Sequence, residues 1–124
     1  GLHDPQRHLQ AHADGFLYYG VLNVRFFNIS NRPGEMLMDT LGATAFGVPD
    51  VQLHFQTLEP AEVSRFLFNT GVYLIQHGDV IQDGHTLTSI EGQHKWPCCH
   101  EEALAAPERV VVDVEAEDRS PTSD

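Results

Sequence analysis

Lys95 to Glu102, KWPCCHEE, is the stretch whose residue types could do chemistry: two adjacent thiols, an imidazole and two carboxylates within eight positions. His85 and His94 lie close by in sequence, so a donor set of His85, His94, Cys98, Cys99, His100 and Glu101 is available. Zinc prefers thiolate and imidazole donors in tetrahedral array, drawn from spaced pairs such as C-x₂₋₄-C. His94 and Cys98 have usable spacing and His100 is near them. Cys98 and Cys99, as neighbours, send their side chains in diverging directions. A thiolate nucleophile with His94 or His100 as its base is the catalytic reading. It needs an electropositive setting, whereas Glu101 and Glu102 face a single Lys95. Those acids are expected to raise a thiol pKa. The expectation is therefore a structural loop, stiffened by Pro97 and anchored by a buried Trp96, with no catalytic, cofactor-binding or metal residues assigned. Zinc binding or thiol chemistry at His94, Cys98, Cys99 and His100 is the alternative.

Other donor groups have structural explanations. His8 and His12 fall four apart on one face of a short helix over 4–14, but the HExxH pattern that would make them a metal pair is absent. Asp79, Asp83 and Glu91 lack the spacing of a calcium loop, and Asp83-Gly84 is a tight-turn dipeptide.

The elements that must carry these residues read as follows. Asp4 and Pro5 open the helix over 4–14 and Gly15 closes it. FLYYGVLNVRFFNI, 16–29, is aromatic and β-branched, a long strand with Leu22, Val24 and Phe26 on one face. Across the SNRPG turn, 35–41 fits either a helical face or the second arm of a hairpin. The hairpin is preferred, with a short helical turn over 42–46. Val51 to Gln56 alternates: Val51, Leu53 and Phe55 inward, Gln52, His54 and Gln56 on a wet face. Pro60 and Glu62 begin the main helix, about 59–77, and Gly78 ends it; Val63, Phe66, Leu67, Thr70 and Leu74 form its packing face. A hairpin turning at Asp83-Gly84 is expected between 80–81 and 86–90. Residues 92–107 look irregular, and ERVVVDVE closes the fold with Val110, Val112 and Val114 inward.

These elements predict an α+β fold: a mostly antiparallel sheet with one main helix packed on it, plus the short N-terminal helix. The domain organisation is an N-terminal helix and linker at 1–15, one domain at 16–115, and an acidic tail at 116–124 expected to be disordered. No internal repeat is visible.

The chain has 124 residues, enough for one self-sufficient core. Its formal net charge is −11, and six of those charges come from 101–124, which hold eight acids and two arginines. That balance argues against nucleic acid as a partner, since phosphate binding requires clustered Lys and Arg, and suits a basic protein. No apolar run is long enough to span a membrane, so no membrane partner is expected. No apolar signal region opens the sequence, and two adjacent cysteines make no disulfide framework, so a reducing cytoplasm is expected.

The order of LGATAFGVPDVQLHF, EPAEVSRFLFNTGVYLIQHGDVIQDGHTL and ERVVVDVE resembles the bacterial family called domain of unknown function 4261 over about 41–115. The matching positions are Gly42, Phe46, Gly47, Pro49, Pro60, Tyr73, Leu74, Ile75, Asp83, Gly84 and Thr86. Asp50 stands where that family usually has Glu. The resemblance implies the fold and a C-terminal position in a longer protein, which fits an opening Gly. It implies no activity. The expectation is a non-enzymatic cytoplasmic interaction domain, in a specific version an acidic inhibitor- or immunity-type protein. Its aromatic strand would be covered by a second copy in a homodimer or by a preceding N-terminal domain.

Overall fold

The computed structural model describes residues 22–29 and 32–116. The helix expected over 4–14 with His8 and His12, the first part of the 16–29 strand and the tail after Ala116 lie outside the described residues.

Among the described residues, six strands form one mixed sheet with one long helix packed on it. In chain order they are β1 (Asn23–Asn28), β2 (Met36–Leu41), β3 (Val51–Phe55), helix α1 (Pro60–His77), β4 (Thr86–Thr88), β5 (Lys95–Glu102) and β6 (Val110–Val114). The spatial order is β1-β2-β3-β6-β5-β4. Every neighbouring pair is antiparallel except β3 and β6, which run parallel. The open choice at 35–41 resolves as strand, and the helical turn after it is a 3-10 turn over Ala43–Phe46.

Helix α1 starts with Pro in its first turn, and the backbone N–H of Gly78 closes it on the Leu74 carbonyl. Val63, Leu67, Thr70, Gly71 and Leu74 are buried, a stripe at helical spacing. Val63, Leu67 and Leu74 join Val51, Leu53, Phe55, Val112, Val114, Trp96 and Cys98 in one core cluster. Gly71 permits that approach: a Cβ there would lie 2.9 Å from the Leu22 Cδ2. No helix among the described residues is long and apolar enough to cross a membrane.

Four expectations need correction. Residues 92–107 are not irregular throughout, because KWPCCHEE is β5. Its first part pairs with β4 and its second with β6. Pro97 is tolerated because its own edge looks toward β6 just past that strand's end, where the Pro97 carbonyl accepts the N–H of Glu115 at 2.8 Å. Second, Val80-Ile81 is not a hairpin arm; Asp83-Gly84 does turn, with Gly84 at φ 88°, but the strand that β4 pairs with is β5. Third, Val110 is 58% exposed, while Val111, Val112, Asp113 and Val114 are all buried. Fourth, the wet row of β3 is dry at two of its three positions: Gln52 is 1% exposed and His54 7%. Central strands bury both faces, and polar groups survive there when partners on adjacent strands satisfy them. Leu22, just before β1, is buried and Val24 packs on the core, but Phe26 is half exposed on the edge strand.

Candidate functional site

The sheet face opposite α1 carries the polar residues that the strand registers bring together. Arg25 stands across from Asp39, Asp39 across from Gln52, Gln52 beside Asp113, and Asp113 across from Cys99. One row therefore crosses β1, β2, β3, β6 and β5. At its β1 end Arg25 makes a two-pronged contact with the buried Asp39: Nε to Oδ1 at 3.0 Å and Nη2 to Oδ2 at 2.9 Å. Arg109 adds an ion pair from Nη1 to Asp50 Oδ2 at 3.0 Å, with its Nη2 4.0 Å from Asp39. In the middle, Gln52 Nε2 donates to Asp113 Oδ1 at 3.0 Å, and Gln52 Oε1 accepts the N–H of Leu104 at 3.0 Å.

At the β5 end the row closes on a thiol. The thiol of Cys99 donates to Glu101 Oε2 at 3.1 Å and lies 3.5 Å from Glu115 Oε2. The donor atoms of Cys99, Glu101, Asp113 and Glu115 all lie within 4.8 Å of one another. Burial, with the hydrogen bond to Glu101 next, pushes the Cys99 thiol up to about 12. Cys98 lies in the core, where burial and then the charges of Asp113 and Glu115 push it up to about 11.

A groove of about 640 Å³ runs along this face. Phe27, Leu37 and Leu104 supply apolar lining, Gln52 and His54 a polar floor, and Glu101 and Asp113 an acidic end. His54 Nε2 contacts Glu35 Oε1 at 2.6 Å, and Gln56 Nε2 reaches Glu35 Oε2 at 3.1 Å. Desolvation opposes ionisation of Glu35, yet the contacts from His54, Gln56 and Arg32 prevail and hold its pKa below the usual carboxylate value. A second cavity of about 590 Å³ lies between α1 and β4 and is mostly apolar, lined by Phe66, Tyr73, Val80 and Leu87 among others.

The donor set read from the sequence is not gathered. Strand alternation sends Cys98 into the core beside Trp96, and Cys99 to the opposite face. His94 Nδ1 lies 2.7 Å from Glu91 Oε2. His85 Nδ1 accepts the N–H of Gln82 in the β4 turn. His100 is held by Asp83, whose Oδ1 accepts its backbone N–H at 2.7 Å and lies 3.0 Å from its Nδ1. That backbone hydrogen bond, with the ring contact next, lowers the Asp83 pKa. Asp79 comes within 3.9 Å of the same ring. So Asp79 and Asp83 converge on His100, Glu91 pairs with His94, and no three of them form a cation site. What sequence reasoning missed is the contribution of β6, Asp113 and Glu115. Reading KWPCCHEE as a strand antiparallel to VVVDVE would have exposed it, since both have donors two residues apart.

Residues 39–115 match the sequence model of a family described as Domain of unknown function (DUF4261). The chain belongs to that family. No curated protein and no solved structure matched it. The stretch that makes this chain a DUF4261 protein runs from Asp39 to Glu115 and so contains every member of the polar row except Arg25. The glycines of the DUF4261 resemblance have a backbone role: Gly42, Gly47 and Gly84 sit at φ 123°, 79° and 88°, where a side chain would be strained.

The thiols of this DUF4261 chain are expected to be sluggish nucleophiles. At pH 8.5 the alkylation of Cys99 by iodoacetamide should run at least about 100-fold slower than that of glutathione, because so little thiolate is present. Cys98 should react only on unfolding. Mass spectrometry of a timed alkylation checks both, and rapid labelling of either residue in the folded chain would contradict these thiol assignments.

Proposed function

We propose that this chain is a non-enzymatic interaction domain of the bacterial cytoplasm. In this reading it binds a basic protein partner on the sheet face opposite α1, in the manner of an inhibitor or immunity protein. The observation that carries the reading is the groove beside Phe27, Leu37 and Leu104 that ends at Glu101 and Asp113. Apolar walls with few, placed polar groups suit recognition, and a net charge of −11 complements a basic surface. The two thiols offer little nucleophile at neutral pH, since the pKa of one is raised to about 11 and the other to about 12.

The test is affinity capture with the full chain from a lysate of its source cell. The captured protein would be identified by mass spectrometry and then purified for titration. The purified partner should be basic, its affinity should fall steeply between 0.05 and roughly 0.5 M salt as exposed charges are screened, and Leu104→Asp should abolish binding. Leu104 is exposed, so the substitution spares the core. A partner that binds the Leu104→Asp variant equally well, without salt dependence, would refute the reading.

A further inference from the structure

We propose that the groove floor at His54 seats a tryptophan side chain of the partner, whose indole N–H donates to His54 Nδ1. This rests on the interaction-domain reading and names the residue that anchors the partner.

His54 presents an unused hydrogen-bonding atom to this groove. Its side chain is 8% exposed, so more than nine-tenths of it is buried in the middle of the sheet. One ring nitrogen is engaged: Nε2 lies 2.6 Å from Glu35 Oε1. The other, Nδ1, has no hydrogen-bond partner among the described residues. The one fully enclosed side-chain nitrogen or oxygen without a partner among them is Arg109 Nη2. Nδ1 is therefore not sealed in, and the ring lines the groove. The tautomer follows from Glu35. Its pKa lies below the usual carboxylate value, so it is ionised at neutral pH and accepts the Nε2–H. The lone pair of the neutral ring is then on Nδ1. A buried acceptor thus faces the groove and requires a donor.

The surroundings decide which donor fits. Both ends of the neighbouring Gln52 amide are engaged, Oε1 by the Leu104 N–H and Nε2 by Asp113. Phe27, Leu37 and Leu104 are apolar walls, with Leu37 directly across from His54 in the β2–β3 register. A hydroxyl would donate to Nδ1 but bring lone pairs of its own toward the carboxylates of Glu101 and Asp113. A lysine or arginine would donate, yet give the walls only a thin aliphatic stem to cover them. An indole meets each demand: a flat apolar body, one N–H and no acceptor. The groove, at about 640 Å³, is large enough for it. Tryptophan is also among the residues that dominate binding energy when they fill such pockets.

The probe is acetyl-Lys-Trp-Lys-amide, titrated into the full chain and followed by amide chemical shifts at about pH 8, well above the ordinary imidazole pKa of about 6.5. Two control peptides carry the same charge. One has its tryptophan methylated on the indole nitrogen and so has no N–H; the other has phenylalanine instead. The tryptophan peptide should shift the amides of 27–29, 52–54 and 104–105. Each control should bind at least about tenfold more weakly, the loss of one hydrogen bond to a buried acceptor. Nitrogen NMR of the histidine rings in the free wild type should show His54 protonated at Nε2 and bare at Nδ1. The Nδ1 signal should move with the tryptophan peptide and stay with the phenylalanine peptide. In His54→Leu those two peptides should bind within about twofold of each other. Circular dichroism checks that this variant folds, and the wild-type comparisons stand without it.

Equal binding of the tryptophan and indole-methylated peptides to the wild type would overturn the proposal. So would a proton on Nδ1 in the free chain, or shifts confined to the cavity between α1 and β4. A captured partner that still required Leu104 but bound His54→Leu as tightly as the wild type would remove the indole anchor and leave the interaction-domain reading standing.

Discussion

Replacing Asp50 by Ala is expected to cost about 3–5 kcal/mol of folding stability, the range for stranding a charge by deleting its buried partner. Asp50 is fully buried just before β3. Its Oδ1 accepts the Thr40 hydroxyl at 2.8 Å and the Ala43 N–H at 2.9 Å, and its Oδ2 accepts Arg109 at 3.0 Å. The Thr40 hydroxyl in turn accepts the Val51 N–H at 3.0 Å. One carboxylate thus fixes the 3-10 turn, the entry to β3 and the Arg109 side chain. Alanine would leave a buried N–H, a hydroxyl and much of a guanidinium without acceptors, and each unsatisfied buried group costs about 1–3 kcal/mol. Asp50→Asn keeps one carbonyl oxygen and should lose roughly half as much. Urea unfolding measures both, as a lower midpoint with unchanged slope. A loss below about 1 kcal/mol for the alanine variant would show that Asp50 does not bear the turn.

Trp96→Ala should cost a similar amount, about 3–5 kcal/mol, through an unfilled cavity rather than an unpaired charge. Trp96 is 2% exposed on β5, and its ring meets Phe66 of α1 edge-on, with centroids 5.6 Å apart at 70°. It ties the β5–β4 end of the sheet to the helix, which otherwise packs chiefly on β1, β2 and β3. Trp96→Phe retains most of the packing and should lose less than half as much. Because it is the chain's one tryptophan, its emission should be blue-shifted in the native wild type and move to the red on unfolding. A solvent-exposed emission spectrum from the folded protein would contradict this placement.

How much of this was legible beforehand differs by residue. Helix α1 was, because Pro60, Gly78 and an apolar stripe at helical spacing are local signals. The inward row of β3 was as well, through Val51, Leu53 and Phe55. The strand at KWPCCHEE was not: its inward positions are Trp96, Cys98 and His100, its outward ones Pro97, Cys99 and Glu101, and no apolar–polar contrast marks that alternation. The α+β class was expected and is found. The parallel β3–β6 pair inside an otherwise antiparallel sheet has no local signature, since the two strands are separated by α1, β4 and β5.

The sequence by itself determined helix α1, the strand character of 51–55 and 110–114, and the inward row Val51, Leu53 and Phe55. These depend on residues within a few positions of each other. Only the tertiary structure decided what the polar residues do. Alternation assigned Gln52 and His54 to the second face of β3, but exposure depends on what lies beside them, and Leu104, Glu35 and Asp113 come from distant segments. The same holds for Cys99 with Asp113, fourteen positions apart, and for Asp39 with Gln52. Their meeting rests on strand register, and a slip of one residue would turn every one of these side chains to the other face. Burial of the opposite, apolar face against α1 fixes that register. The core thereby sets the polar row and the groove in place.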